Sequence, residues 1–266
     1  TPIYVREKKL GWIHEVAKEV WWFNPWPEPF NIIPAVIGTI FERFIFMILY
    51  RSTPFMTVSE STKRELFIWG IPKKNITVVY NGASLIKVKV KKEKKKTAIF
   101  LGAITRDKGI EDALKVFSLI NQKEKGWQFW VAGKGEKNYI RSLQLTKKVK
   151  HWGYVGEKKK FELLARAHVL VNPSIREGWG LVNIEANSVG TPVVGFKVPG
   201  LMDSVLDGIT GILVKPRNTR EMANQIVRLM KNTRRYERIC KNSLSWSQKF
   251  SWKSAGKQCT GLIESL

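Results

Sequence analysis

Two glutamates eight residues apart, Glu177 and Glu185, lie within the sequence REGWGLVNIEANSVGTPVVG. The apolar run HVLVNPS before them predicts a buried strand ending near Ser174, and we expect a helix to begin near Gly180. Glu177 therefore lies in the loop after the strand, and Glu185 lies one to two turns into the helix. Both carboxylates can face one pocket, where each can accept hydrogen bonds from a pair of adjacent hydroxyls.

The glycines on either side of Trp179 add an anion site to the same loop. Gly178 and Gly180 have no side chain, so the backbone can come close to a ligand. The first turn of the following helix presents unpaired N–H groups and the positive end of the helix dipole, which favour phosphate. Carboxylates for hydroxyls beside a helix end for phosphate indicate a nucleotide-sugar site. The structural alternative is a solvated Glu177 and a Glu185 that interacts only with the helix dipole.

The elements around this loop predict a doubly wound, Rossmann-like α/β domain with a parallel sheet. Apolar strands such as TAIFLG, WQFWVAG and TPVVGF alternate with amphipathic helices such as IEDALKVFSLIN. Continuous apolar strands of this kind are buried on both faces, and helices cover them. Ligands of such sheets bind at the carboxyl ends of the strands, where the glutamate loop is expected.

A lysine-rich run, KVKVKKEKKKT over residues 87–97, divides the chain. We expect a partial N-terminal domain over residues 1–86, a linker at 87–97, the Rossmann-like domain over 98–241 and a C-terminal helix within 242–266. In the first part, KLGWI, TPFMTVSE and NITVVYNG predict strands, and STKRELFIWG predicts a helix capped by Ser61 or Thr62. Because Thr1 is not a natural initiator, we expect the chain to begin inside a longer protein.

One apolar segment, from Phe30 to Arg51, could be mistaken for a membrane span. Glu42 and Arg43 lie in its middle and Pro34 near its start, so its uncharged run is shorter than the roughly 20 residues that a span needs. We interpret it as a buried or interfacial helix.

The charge of the chain narrows the choice of partners. Forty-six Lys and Arg against 22 Asp and Glu give a net charge of +24, which attracts nucleic acid, anionic lipid or phosphate-bearing small molecules. Nucleic acid is disfavoured because no recognition helix or aromatic platform motif accompanies the charge. Lysines clustered at 87–96, 147–150 and 158–160, with the Trp-rich WWFNPWPEPF, favour an anionic membrane surface, although a solvated basic surface would show the same pattern.

Metal and redox motifs are absent from the sequence. HEVAK lacks the second histidine of a zinc motif, three histidines are scattered, and four aspartates form no D-x-D pair. The two cysteines form no disulfide framework and fit a reducing compartment, so we expect a cytoplasmic protein, peripheral on the inner face of the membrane if it binds lipid.

The segment NPSIREGWGLVNIEANSVGTPVVG resembles the signature of retaining GT-B glycosyltransferases of family 4, whose E-x7-E motif is here Glu177 to Glu185. FLGAITRDKGIEDAL, VAGKGE, WGYVG and VPGLMDSVLDGITGILV are similar to further segments of that family, in the same order. The resemblance implies a GT-B fold that lacks most of its N-terminal acceptor domain. It also implies a metal-independent enzyme without a cofactor, in which a nucleoside-diphosphate sugar is the donor substrate.

By this resemblance, Glu185 binds the nucleoside ribose and Glu177 binds hydroxyls of the donor sugar. The backbone of the loop, at Gly178, Trp179, Gly180 and Leu181, meets the sugar and the pyrophosphate. Lys108 matches the lysine that neutralises the leaving diphosphate. The family's second phosphate contact is an arginine at the position of Ala103, so either Arg106 supplies that charge or the leaving group is less stabilised.

The remaining matched positions lie at other strand ends. Gly102 and Gly133 allow close approach of the nucleotide, the turn at Tyr154 and Val155 matches the one that holds the base, and His14 matches an acceptor-activating or donor-contacting histidine. The resemblance implies transfer of a hexosyl group to a hydroxyl of a glycan or lipid-linked saccharide. Open alternatives are a sucrose- or sugar-phosphate synthase, a phosphorylase, for which no pyridoxal-phosphate lysine is identified, and a non-catalytic module that binds nucleotide sugar or polyanion.

Overall fold

Two parallel sheets of unequal size form the framework of the protein. The computed structural model describes residues 7–16, 27, 29–84, 86, 88 and 90–266, with only the backbone for Thr39. The strands are β1 (Gly11–Ile13), β2 (Phe55–Thr57), β3 (Ile76–Val78), β4 (Thr97–Leu101), β5 (Gln128–Ala132), β6 (Val149–Gly153), β7 (Val169–Asn172), β8 (Val193–Phe196) and β9 (Gly211–Val214). The predicted alternation of strands and helices is confirmed.

The α-helices connect these strands and extend the chain beyond them. They are α1 (Ile32–Leu49), α2 (Glu60–Ile68), α3 (Ile110–Lys123), α4 (Lys137–Ser142), α5 (Glu157–Arg166), α6 (Leu181–Ser188), α7 (Leu201–Ser204), α8 (Thr219–Lys231), α9 (Thr233–Ser247) and α10 (Trp252–Glu264). The boundary predicted between residues 241 and 242 falls inside α9.

The larger sheet has six parallel strands in the order β6-β5-β4-β7-β8-β9. This is the order of a doubly wound Rossmann-type sheet, so the predicted fold class is confirmed. Its strands other than the edge strand β6 are largely buried, as expected where helices cover both faces, and Phe129, Leu170 and Phe196 are fully buried. The strand order reverses between β4 and β7, which opens a crevice at their carboxyl ends.

The smaller sheet has three parallel strands in the order β1-β2-β3. Its core is small and includes Phe55, Leu66, Trp69 and Ile76. The cap predicted for α2 at Ser61 or Thr62 is wrong, because Ser59 is the N-cap and its Oγ accepts a hydrogen bond from the Thr62 N–H at 3.1 Å. Three residues in this stretch, Ser59, Ser61 and Thr62, can act as N-caps, so the backbone geometry decides among them.

The two sheets meet through polar contacts and an aromatic cluster. The Tyr80 and Trp179 rings lie 4.8 Å apart, and the Trp179 and Phe250 rings lie 5.0 Å apart. The chain crosses back after α9, where Ala83 forms a parallel bridge with Ser251. The loops of the two sheets are therefore held face to face across the crevice.

Helix α1 was expected to be either buried or interfacial, and the structure does not show a buried helix. Ala35 is its one buried residue among those with a described side chain, whereas large apolar side chains such as Phe41 and Ile48 are 62% and 69% exposed. By length and composition alone, α1 could cross a bilayer. Residues 21–26 and 28 of the Trp-rich WWFNPWPEPF, and Lys87 and Lys89 of the lysine run, lie outside the described residues.

Candidate functional site

The crevice between β4 and β7 contains a cavity of about 220 Å³. Its lining includes Gly102, Lys108, Glu177, Gly180 and Leu181, which the sequence predicted for the site. The loops after β4 and β7 converge here because parallel strands end at the same edge of the sheet. Gly109 N-caps α3 with a φ of 75°, and a Cβ atom there would lie 2.2 Å from the Pro173 carbonyl oxygen, so the two loops touch.

Glu177 and Lys108 form an ion pair at the entrance of this cavity. Lys108 Nζ lies 3.0 Å from Glu177 Oε2, and the Ser174 hydroxyl donates to Glu177 Oε1 at 2.8 Å. The Lys108 side chain is 29% exposed and the Glu177 side chain is 16% exposed. Because both charges are partly removed from water, the attraction between them is stronger than at a fully exposed surface. The arrangement holds an ammonium group and a carboxylate beside the first turn of α6.

Buried amides fix the loop that carries Glu177. Asn172 Nδ2 donates to Asn183 Oδ1 at 2.8 Å, and Asn183 Nδ2 donates to Ser204 Oγ at 2.9 Å. The Ser174 N–H donates to Asn172 Oδ1 at 3.2 Å. The end of β7 is thus tied to the first turn of α6, which begins after Gly180 with a φ of 77°. The N-terminal residues of α6, Gly180 and Leu181, therefore line the cavity, and a helix N-terminus favours anions.

Gly178 brings the loop against the smaller sheet. A Cβ atom at Gly178 would lie 2.4 Å from the carbonyl oxygen of His14, the residue that follows β1. The same carbonyl accepts a hydrogen bond from Thr62 Oγ1 at 3.0 Å. The structure therefore places His14 beside the glutamate loop, with its ring stacked on Trp12 at 5.1 Å.

Glu185 lies on the second turn of α6 and pairs with Lys160 of α5. Burial raises the pKa of Glu185, and the Lys160 ammonium opposes that rise. The sequence did not indicate that Lys160 contacts Glu185. Lys160 belongs to the lysine cluster at 158–160, which was interpreted as part of a membrane-binding or solvated basic surface. A lysine that faces inward from an amphipathic helix was the available signal.

Gly102 and Gly133, which were predicted to allow close approach of a nucleotide, are close neighbours in the structure, and their backbone conformations favour glycine. A Cβ atom at Gly133 would lie 1.7 Å from the Gly102 carbonyl oxygen, and their φ angles are 153° and 152°. Beyond β6, Val155 packs against the core, whereas Tyr154 is 71% exposed with Lys134 Nζ 4.6 Å from the centre of its ring. The ring of Tyr154 therefore borders solvent at the same edge.

Arg106 does not join the residues around the cavity. Its side chain is 74% exposed, its Nε lies 3.6 Å from Glu111 Oε1, and its guanidinium lies 5.9 Å from the Tyr139 ring centre. Trp179 likewise turns away, because its 2% exposed ring belongs to the aromatic cluster with Tyr80. The role predicted for the Trp179 backbone stays a prediction, because the cavity lining includes Gly180 and Leu181 but not Trp179.

Glu15 is a third carboxylate at this site and was missed from the sequence. It follows His14 at the carboxyl edge of β1, and the signal was its place directly after a candidate site residue. Partial burial of its carboxyl group raises the pKa of Glu15, Lys108 lowers it, and Glu177 raises it further. Three acidic and basic groups from two sheets therefore interact across the crevice.

No group of three or more His, Cys, Asp or Glu side chains with a metal-binding arrangement occurs in the described part of the chain. Cys240 and Cys259, both within that part, are free thiols.

The two parallel sheets facing each other across a crevice define a GT-B fold. The model of the family described as glycosyl transferases group 1 matches residues 81–246, and the chain belongs to this family. The chain is 28% identical over 241 residues to an uncharacterized glycosyltransferase of Methanocaldococcus jannaschii, covering 82% of this chain and 62% of that protein. It is 27% identical over 174 residues to the alpha-D-kanosaminyltransferase of Streptomyces kanamyceticus, covering 63% and 45%.

A solved structure shows the same fold over almost the whole chain. HepE from Anabaena, in complex with UDP and glucose, superimposes with a TM-score of 0.78 at 19% identity, covering 98% of this chain and 72% of HepE. The chain spans roughly half to two thirds of the length of the curated relatives named above.

Proposed function

We propose that this chain carries the donor site of a retaining glycosyltransferase of family 4 that moves a hexosyl group from a nucleoside-diphosphate sugar to a hydroxyl acceptor. The observation that carries the proposal is the Lys108–Glu177 pair at the first turn of α6, with Glu185 one turn further along the same helix. Residues 98–241 would form the donor domain, and residues 1–86 part of the acceptor domain.

We propose that the donor binds across these residues in a single orientation. Its pyrophosphate would accept hydrogen bonds from the backbone N–H groups of Gly180 and Leu181 and pair with Lys108. Its ribose hydroxyls would donate to Glu185, and its sugar hydroxyls would donate to Glu177. The base would lie beside Gly133, Tyr154 and Val155, where the carboxyl ends of β5 and β6 form the edge of the crevice.

The proposed chemistry depends on charge at the leaving group. As the bond from the anomeric carbon to the phosphate oxygen breaks, Lys108 and the α6 dipole neutralise the negative charge on the diphosphate, without requiring a metal. The acceptor oxygen would bond to the anomeric carbon on the same face and give its proton to the leaving phosphate. His14 and Glu15, at the end of β1, would contact the acceptor side.

The relatives support the donor class. HepE is in complex with UDP and glucose, and the name of the related kanosaminyltransferase describes transfer of a sugar. The acceptor would be a glycan or a lipid-linked saccharide in a reducing cytoplasm, consistent with free thiols at Cys240 and Cys259. The alternative is a module that binds nucleotide sugar without turnover, because catalysis in this class of fold requires closure of two domains.

A thermal-shift panel with UDP-, GDP- and ADP-sugars tests the proposal. A ligand at a hundred times its dissociation constant should add roughly 2.7 kcal/mol to the free energy of unfolding. We expect one nucleotide class to raise the Tm, Glu185→Ala to abolish the rise, and Glu237→Ala, an exposed change on α9, to leave it intact. Release of nucleoside diphosphate with a hydroxyl acceptor then separates the enzyme from the binding module. No shift with any donor would refute both.

A further inference from the structure

Helix α1 carries an apolar surface on the side where a helix of a water-soluble domain is normally polar. The residues Ile33, Ile37, Phe41, Phe44 and Ile48, which we call the outer α1 face, are each between 50% and 69% exposed. Their spacing places them on one stripe of the helix. Eleven of the eighteen residues of α1 are apolar and exposed, and at about 100° per residue they cover an arc of about 260° around the helix.

The opposite side of α1 is fixed to the smaller sheet. The Phe46 ring lies 5.5 Å from the Trp69 ring, 5.8 Å from the Phe55 ring and 5.5 Å from the Tyr50 ring. Through Phe46, these contacts attach the C-terminal half of α1 to the smaller sheet. Glu42 is partly buried, which leaves Arg43 as the exposed charge among the described side chains of the helix.

The charges around this surface are basic. Arg51 follows α1 directly, and its carbonyl accepts a hydrogen bond from Asn75 Nδ2 at 3.0 Å, next to the exposed Lys73 and Lys74. Lys73 Nζ lies 4.7 Å from the ring centre of Phe67, which is itself exposed on α2. Apolar side chains bordered by cations match the interface of an anionic bilayer, where acyl chains lie beneath phosphate groups.

A groove beside α1 fits the same ligand chemistry. A cavity of about 370 Å³ has Ile40, Arg43, Phe44 and Met47 as its described lining. An acyl chain can lie along the three apolar side chains, while the Arg43 guanidinium reaches the phosphate above it. The tryptophans at 21, 22 and 26 precede α1 in sequence, and tryptophan is enriched at membrane interfaces.

We propose that α1 is a membrane-docking helix that lies in the plane of an anionic lipid surface, with the outer α1 face inserted among the acyl chains. The helix is 18 residues long and so extends about 27 Å along the surface. A helix that lies in the plane of the interface is buried about 5–10 Å into the boundary between head groups and acyl chains. This surface is separate from the Lys108–Glu177 cavity, and the proposal does not depend on sugar transfer.

Vesicle sedimentation of the 266-residue chain tests the apolar part of this surface. Vesicles of phosphatidylcholine mixed with phosphatidylglycerol should pellet the protein, and Phe41→Gln/Phe44→Gln should weaken the partition by at least about tenfold. The matched control is Ile209→Gln/Ile263→Gln, which removes two equally exposed apolar side chains elsewhere and should not change it. Unaltered melting of both variants shows that they are folded.

A second pair of variants tests whether vesicle binding requires the basic residues next to α1. Lys73→Glu/Lys74→Glu should weaken binding to anionic vesicles, whereas Lys147→Glu/Lys148→Glu, an exposed lysine pair before β6, should not. Failure of the wild type to pellet, or equal pelleting of the Phe41→Gln/Phe44→Gln variant, would overturn the proposal. So would light scattering that shows a dimer which this variant dissociates, without vesicle binding, because the partner would then be a second copy.

Discussion

Arg176 of the glutamate loop and Glu65 of α2 form a buried ion pair that joins the two sheets. Their side chains are 3% and 11% exposed. Beside this pair, the Ser61 N–H donates to Asp203 Oδ2 at 3.0 Å, so α2 is held at two points. Because Arg176 directly precedes Glu177, the pair ties the position of the catalytic candidate to the smaller sheet.

The first prediction concerns this ion pair. Arg176→Ala leaves the Glu65 carboxylate buried without this cation, and we expect the free energy of unfolding to fall by about 3–5 kcal/mol in chemical denaturation. Replacing both residues, as Arg176→Met with Glu65→Leu, should recover part of the loss because no charge is then buried. Lys159→Ala, which breaks an exposed pair with Glu162, should cost under about 1 kcal/mol. Equal effects of the two alanine variants would contradict the prediction.

The second prediction separates Lys108 from Arg106. Lys108→Ala should weaken donor binding and slow transfer, with a loss of about 10²–10³ in kcat if the lysine stabilises the leaving group. Arg106→Ala should change both by less than about threefold, because its exposed side chain pairs with Glu111 away from the cavity. Steady-state kinetics with a nucleotide sugar decide between them. A larger loss from Arg106→Ala would mean that this arginine turns inward when the donor binds.

The third prediction is a pH dependence at Glu185. Burial raises the pKa of Glu185 and Lys160 opposes the rise, so Lys160→Met should raise this pKa further. At high pH, the donor affinity of the variant should approach that of the wild type. On acidification, the variant should lose affinity at a higher pH than the wild type does, because binding of the ribose needs the ionised carboxylate.

The same shift has the opposite sign for folding. A carboxyl group whose pKa is raised by folding favours the native state at low pH, and that contribution is lost as the pH rises through the folded-state pKa. Lys160→Met should therefore destabilise the protein more at pH 8 than at pH 5. Lys159→Met, whose partner is Glu162, is the matched control for both measurements. Parallel pH profiles of the two variants would count against the role of Lys160.

The fourth prediction concerns backbone space at the strand ends. Gly133→Ala places a methyl group 1.7 Å from the Gly102 carbonyl, so a strand end must move. We expect a loss of at least about 2 kcal/mol in the free energy of unfolding. Gly156→Ala is the control because a Cβ atom there meets nothing within 4 Å and its φ is −67°. Similar melting temperatures for the two variants would show that the strand ends adapt.

The sequence predicted which strand ends meet at the site better than it predicted the directions of the side chains there. The pairing of Lys108 with Glu177 follows from strand ends that share one edge, so it could be expected. The turn of Arg106 toward Glu111 depends on rotamers and on where α4 places Tyr139, which spacing does not encode. The link between Glu185 and Lys160 joins two helices through the packing of α5 on α6.

The exposure of α1 was not predictable from its pattern. A helix that is apolar on most of its sides has no periodicity to show which side faces the core, so a buried and an interfacial helix both remained as expectations. The sequence also did not show that Glu15 belongs to the site. Whether a carboxylate after β1 contacts the site depends on which loop of the other sheet lies opposite it.

The smaller sheet has consequences for local unfolding. Among the described residues, it encloses a cluster of six buried apolar side chains, whereas the larger sheet and its helices enclose thirty-six. Contacts across the crevice, including Arg176–Glu65 and Ser61–Asp203, should therefore contribute to its stability in this chain. Amide hydrogens of β2 and β3 should then exchange with deuterium through openings that leave β4 and β7 protected. A ligand that holds the crevice shut would slow exchange in strands that it never touches.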